Sequence, residues 1–116
     1  MVTVDLSQFE IREANERIRE AASQGESIEV LNPDARHHIG VGVIHTVDIH
    51  VRGSAGYFLG GLTDTPRFQV DSNVGWGVAD NMYRGSVVVA GNAGAIAGVA
   101  IRGAELVIKG NMGSRA

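Results

Sequence analysis

The side chains best suited to chemistry are four histidines, His37, His38, His45 and His50, in a chain without cysteine. A hydrolytic zinc centre needs histidines at fixed spacing with a carboxylate in reach, and neither H-E-x-x-H nor a comparable pattern occurs. His50 is expected on an outward strand face and His37-His38 in a loop, in surface or packing roles. Glycine-rich loops are the next candidates, because bare backbone can cradle phosphate. No G-x-x-x-x-G-K-[ST] is present, and Gly40-Val41-Gly42 and Gly75-Trp76-Gly77 lack the third glycine of G-x-G-x-x-G. These glycines read as turns. No acid–base pair or activated nucleophile can be named, so no catalytic residue, cofactor-binding residue or metal ligand is assigned. Tyr57 and Trp76 stand 19 residues apart, either as a docking patch or packed under an N-terminal helix. Asp80-Asn81 and Tyr83-Arg84 form the most polar return stretch, suited to a subunit contact or a solvated loop.

Charge narrows the partners. The net charge of −3 and pI of about 5.7 predict neither nucleic acid nor an anionic membrane surface. The absence of cysteine excludes disulfides and fits a reducing cytoplasm. The first residues show no basic region followed by an apolar run, so no secretory signal is expected. Residues 85–101 carry no charge, but Gly85, Gly91, Gly94, Gly98 and Asn92 interrupt them, which argues against a membrane helix.

The elements that position these residues are set by a repeat. Over 47–116 a 19-residue pattern comes round four times, closing each time on glycine: Gly56, Gly75, Gly94 and Gly113. Stacked on that register, Ile49, Phe68, Val87 and Leu106 form one apolar column, and Val51, Val70, Val89 and Ile108 a second. Ala55, Val74, Ala93 and Met112 form a third, and Leu59, Val78, Ala97 and Ala116 a fourth. The first two columns are two residues apart and so share one strand face. His50, Gln69, Val88 and Val107 lie between them on the other face, which turns apolar in the later coils and calls for a cover there.

Ser54, Asn73, Asn92 and Asn111 make a polar column at a corner, where amides about 4.8 Å apart can bond up the stack. Gly53, Gly91 and Gly110 flank it on one side, with Ser72 the exception. Gly60, Ala79 and Gly98 mark a second corner. Positive φ at these corners is the expected reason for glycine. The predicted structural set is therefore Gly53, Gly56, Gly60, Asn73, Gly75, Gly91, Asn92, Gly94, Gly98, Gly110, Asn111 and Gly113. The fold expected is mainly β, a right-handed parallel β-helix with an N-terminal helical cap.

Ahead of the repeat, Val2-Thr3-Val4 suggests a short strand. A helix is expected over 8–23, capped by Asp5 or Ser7 and ending before Gly25. Its apolar stripe is Ile11, Ala14, Ile18, Ala21 and Ala22. Glu13 with Arg17, and Glu16 with Arg19, are spaced for surface pairs. A strand over 27–31, a turn at Asn32-Pro33-Asp34 and an irregular coil over 39–44 follow. Residues 1–26 form the strand and cap helix, and 27–116 the β-helix. A cap is needed because a terminal coil otherwise exposes apolar surface and a strand edge.

The unit G-x-x-G-x-x-x-G stands here as Gly53, Gly56 and Gly60, and again as Gly91, Gly94 and Gly98. It resembles the glycine-rich (GXGXG) β-helix domain at the carboxy-terminal end of the glutamate synthase large subunit. The likeness is greater to stand-alone subunits of glutamate-synthase-like and N-methylglutamate synthase complexes. It runs through Val4-Asp5-Leu6, Leu31-Asn32-Pro33, the stretch V-R-G-S-A-G-Y at 51–57 and G-V-A-D-N-M at 77–82. The resemblance implies a non-catalytic scaffold in the cytoplasm. It would hold together an amidotransferase-like subunit and an FMN-binding synthase subunit, with FMN on the partner and no cofactor on this chain. The β-helix component of formylmethanofuran dehydrogenase shares the repeat and is the alternative. Members of the family run longer, so the resemblance also implies a truncated β-helix. Its last coil, with Leu106 and Ile108, would be open to end-to-end association.

Overall fold

A computed structural model describes residues 1–57, 59–75, 78, 82–93 and 104–110. Four-residue runs in which inward apolar residues alternate with outward ones, polar except at Leu31, Val88 and Val107, form six strands: β1 (Val2–Asp5), β2 (Ile28–Leu31), β3 (Asp48–Val51), β4 (Arg67–Val70), β5 (Ser86–Val89) and β6 (Glu105–Ile108). They make one sheet in sequence order, every pair parallel. Parallel neighbours cannot be joined by a hairpin, so each connection must travel round and return. Repeated from strand to strand, that path is a β-solenoid.

The register follows the expected columns. Ile49 pairs with Phe68, Phe68 with Val87 and Val87 with Leu106; Val51, Val70, Val89 and Ile108 do the same. The two columns continue backwards through Ile28 and Val30 to Val2 and Val4, although those coils are longer than 19 residues. Ala55, Leu59, Val74, Val78 and Ala93 complete the lumen, with Ile39 and Val43 from the irregular coil. Met112, Ala97 and Ala116 lie outside the described residues.

Phe68 is the largest side chain in the lumen and is fully buried. Its ring reaches the return side of the solenoid between Gly40 and Gly60. A Cβ on Gly40 would fall 2.6 Å from the ring, and one on Gly60 would fall 3.0 Å from it. Both glycines also sit at positive φ, +74° and +66°. Turn geometry and ring clearance therefore select glycine together.

The helix, α1, spans Ile11–Ser23 and serves as the crossover from β1 to β2. It starts later than expected. Leu6–Gln8 form a separate 3-10 turn, capped by Asp5, whose carboxylate accepts from Ser7 N at 2.9 Å and Ser7 Oγ at 2.7 Å. Phe9 is then extended, and Arg36 fixes the break by donating to the carbonyls of Leu6 and Phe9. Glu10 is the N-cap of α1 and makes no side-chain cap bond. Ala14, Ile18, Ala21 and Ala22 are buried as expected, Ile11 only partly. Arg17 pairs with Glu13 at 3.7 Å and lies over the Phe9 ring at 4.2 Å. The Glu16–Arg19 pair does not form. Glu16 faces Arg12 at 3.7 Å, while Arg19 donates to the Val41 carbonyl at 3.1 Å, tying α1 to the next coil.

Asn15 has no place in the expected stripe, yet it is buried on the same face. Its amide nitrogen donates to the His38 carbonyl at 2.7 Å, and its oxygen accepts from Gly40 N at 2.8 Å. The signal is present in the sequence: Asn15 lies between Ile11 and Ile18 on an otherwise apolar stripe, and a buried amide requires partners.

Candidate functional site

The most organised polar feature is the corner that follows β3, β4 and β5. Ser54 Oγ accepts from Asn73 N at 3.1 Å, and Asn73 Oδ1 accepts from Asn92 N at 2.8 Å. The carbonyls of Asn73 and Asn92 accept in turn from Ala55 N and Val74 N, each at 2.9 Å. The ladder thus occupies the expected position with different chemistry. Among the described residues, the side chains of Ser54 and Asn73 each bond the backbone N–H of the coil above rather than another side-chain amide. At the corner that N–H points at the side chain below and not at a carbonyl, so the shorter route wins.

The positive φ expected of the corner glycines holds at some of them and not at others. Gly53 and Gly60 have positive φ, whereas Gly56, Gly75, Gly91 and Gly110 do not. What these four provide is clearance. A Cβ on Gly91 would press on Asn73 Oδ1 and lie 2.7 Å from the Ser72 carbonyl oxygen; on Gly110 it would press on Asn92 Oδ1. A Cβ on Gly75 would stand 2.8 Å from the Gly56 carbonyl carbon, and on Gly56 it would strike Ala35 O and His37 Nδ1. Ser72, the exception in this column, follows the one rung that is serine. Ser54 is shorter than asparagine and leaves room for a side chain above it. Gly94, Gly98, Asn111 and Gly113 lie outside the described residues.

The outward sheet face is charged over the early coils, and the charges bridge one coil to the next. Asp48 meets Arg67 at 2.6 Å, and this hydrogen-bonded carboxylate holds the Arg67 guanidinium above its ordinary value. Arg52 joins Glu29 at 2.8 Å and approaches Asp71 at 3.9 Å, and Asp71 is 2.6 Å from His50 Nε2. His50 therefore has the outward role expected of it. On the return side Arg84 grips Asp64 with two hydrogen bonds of 3.1 and 2.7 Å, which raises the Arg84 pKa. Exposed pairs of this kind add little to stability, so their main effect is to fix register. An open groove of about 620 Å³ crosses this face, lined in part by Asp48, Arg67, Gln69, Ser86 and Lys109.

His37 sits on the other side, stacked on Tyr57 with ring centroids 4.4 Å apart. Its Nδ1 accepts from Tyr57 N at 2.8 Å and so is the unprotonated nitrogen. Tyr57 is half exposed over this turn and is not packed beneath α1. Trp76, Asp80 and Asn81 lie outside the described residues. Asp5 also accepts from Asn32 Nδ2 at 2.9 Å; together with Ser7, this holds its carboxyl below the ordinary range. Among the described residues no group of three or more His, Cys, Asp or Glu could hold a metal ion, and no helix is long and apolar enough to cross a membrane.

Over 91 residues the chain is 40% identical to Protein GlxC of Rhizobium meliloti (strain 1021), an alignment that takes in 77% of this chain. The aligned part is 40% of the length of that relative. No protein-family model and no solved structure matches.

Proposed function

We propose that this chain is a non-catalytic scaffold of a glutamate-synthase-like complex, of the N-methylglutamate synthase kind, acting in the cytoplasm. An amidotransferase-like subunit and an FMN-binding synthase subunit would carry the chemistry, and FMN would sit on the latter. The observation that carries this reading is where the family-like motifs fall. Val4-Asp5-Leu6, Leu31-Asn32-Pro33 and Val51-Arg52-Gly53 occupy successive levels of one corner. Asn32 donates to Asp5 there, and Pro33 occupies the space a Cβ on Gly53 would need, 2.9 Å away. These residues join coil to coil, which is what a scaffold requires of them. The 40% identity to Protein GlxC over 91 residues shows that this stretch recurs in a second protein.

The test is affinity purification of the tagged chain from its native cell extract, with flavin analysis and peptide sequencing of what comes with it. Recovery of an FMN protein and an amidotransferase-like protein supports the reading, and recovery of neither refutes it. A molybdenum or tungsten protein in their place would assign the chain to a formylmethanofuran dehydrogenase.

A further inference from the structure

The outward face changes character along the solenoid. On β3, β4 and the residues just after them its charges are satisfied between neighbouring coils: Asp48 by Arg67, Arg52 by Glu29, and His50 by Asp71. On β5 and β6 the corresponding positions are Val88 and Val107, which pair in register. Val107 is 38% exposed. Glu105 and Lys109 share its face two residues to either side, both exposed, and neither has an ion-pair partner among the described residues. One strand thus presents a negative end, an apolar centre and a positive end.

That order is self-complementary. A two-fold axis lying between the two faces, parallel to the sheet and perpendicular to β6 at Val107, would set a second copy of the strand antiparallel across the face. Val107 would then meet its own equivalent, and Glu105 of each copy would lie over Lys109 of the other, in the reciprocal manner of an isologous interface. Glu105 and Lys109 are about 13 Å apart along the strand. Sheets packed face to face cross at about 30°, which displaces each charge by only about 3 Å from its opposite, within reach of both flexible side chains. We infer that a second copy of this chain covers the β5–β6 face through this two-fold contact. The inference does not depend on the scaffold reading, because it uses only this face and its charges.

The patch is smaller than a standard interface, so the dimer is weak and is measured by sedimentation equilibrium of the full chain at concentrations up to about 1 mM. E105K and K109E each create two like-charge contacts and weaken dimerisation by about tenfold or more. The double variant E105K/K109E restores opposite charges and returns the dissociation constant to within about threefold of the starting protein. A chain that is monomeric throughout overturns the proposal. So does a dimer indifferent to the single changes, or a double variant no better than either single. A second readout uses the absence of native cysteine. A short bismaleimide joins V107C to itself but not S23C on α1; equal capture of both, or of neither, refutes the contact.

Discussion

Phe68 and Gly40 should be energetically coupled, and the size of the coupling follows from their geometry. Gly40→Ala places a methyl group 2.6 Å from one ring carbon of Phe68 and 2.7 Å from another. It also asks alanine to hold φ near +74°. The left-handed conformation costs about 1–2 kcal/mol, and overpacking the lumen costs about 1–3 kcal/mol more. The single substitution therefore destabilises by about 2–5 kcal/mol, a large share of the ~5–15 kcal/mol of an ordinary domain. Phe68→Leu keeps a branched apolar residue in a column that already contains Leu106, and costs about 1–2 kcal/mol. It also removes the ring from the space the methyl group needs. In that background Gly40→Ala should cost only the backbone part, about 1–2 kcal/mol. The interaction energy from the cycle is then about 1–3 kcal/mol, in the direction of mutual relief. Urea unfolding followed by circular dichroism, with linear extrapolation, measures all four proteins. Additivity within about 0.5 kcal/mol would show that the ring does not occupy this space, and the account of the lumen would fail.

Asn15→Ala removes the buried acceptor of Gly40 N, while the His38 carbonyl keeps the Val41 N–H at 3.4 Å, and should cost about 1–3 kcal/mol in the same assay. A loss under about 0.5 kcal/mol would show that water replaces the amide. Asp5 has its folded pKa depressed, first by Asn32 and then by Ser7, so its contribution is complete above the unfolded value of about 3.9 and disappears as pH falls through the lower folded value. Thermal melts of the starting protein and Asp5→Asn should therefore differ most near neutral pH and converge in acid below about pH 4. A gap that stays constant with pH would place the effect of Asp5 elsewhere.

Strands β3 to β6 were legible because a fixed period puts equivalent residues at equivalent places. Ile49, Phe68, Val87 and Leu106 could be aligned by counting, and they pair as counted. Strands β1 and β2 could be suspected but not paired, since α1 and the longer loop after Leu31 break the count. The late start of α1 was hidden because Arg36, which holds the break at Phe9, comes from the following coil. Spacing likewise paired Arg19 with Glu16, and only the approach of the Val41 carbonyl from the next coil draws it away. At the corner, the column of Ser54, Asn73 and Asn92 showed where the ladder stands but not what it bonds. Clearance at Gly91 depends on the oxygen of a residue one coil below, a distance that no local pattern encodes.

The ladder also gives the solenoid a direction of growth. Ser54 offers an acceptor that Asn73 takes up, and by docking there Asn73 brings its own oxygen into position for Asn92. Each rung is made by the rung before it and makes the next. A chain leaving the ribosome amino end first meets this series in working order. For the side-chain rungs each new coil finds its acceptor already in place, while the backbone bonds from Ala55 N and Val74 N close only when Asn73 and Asn92 arrive.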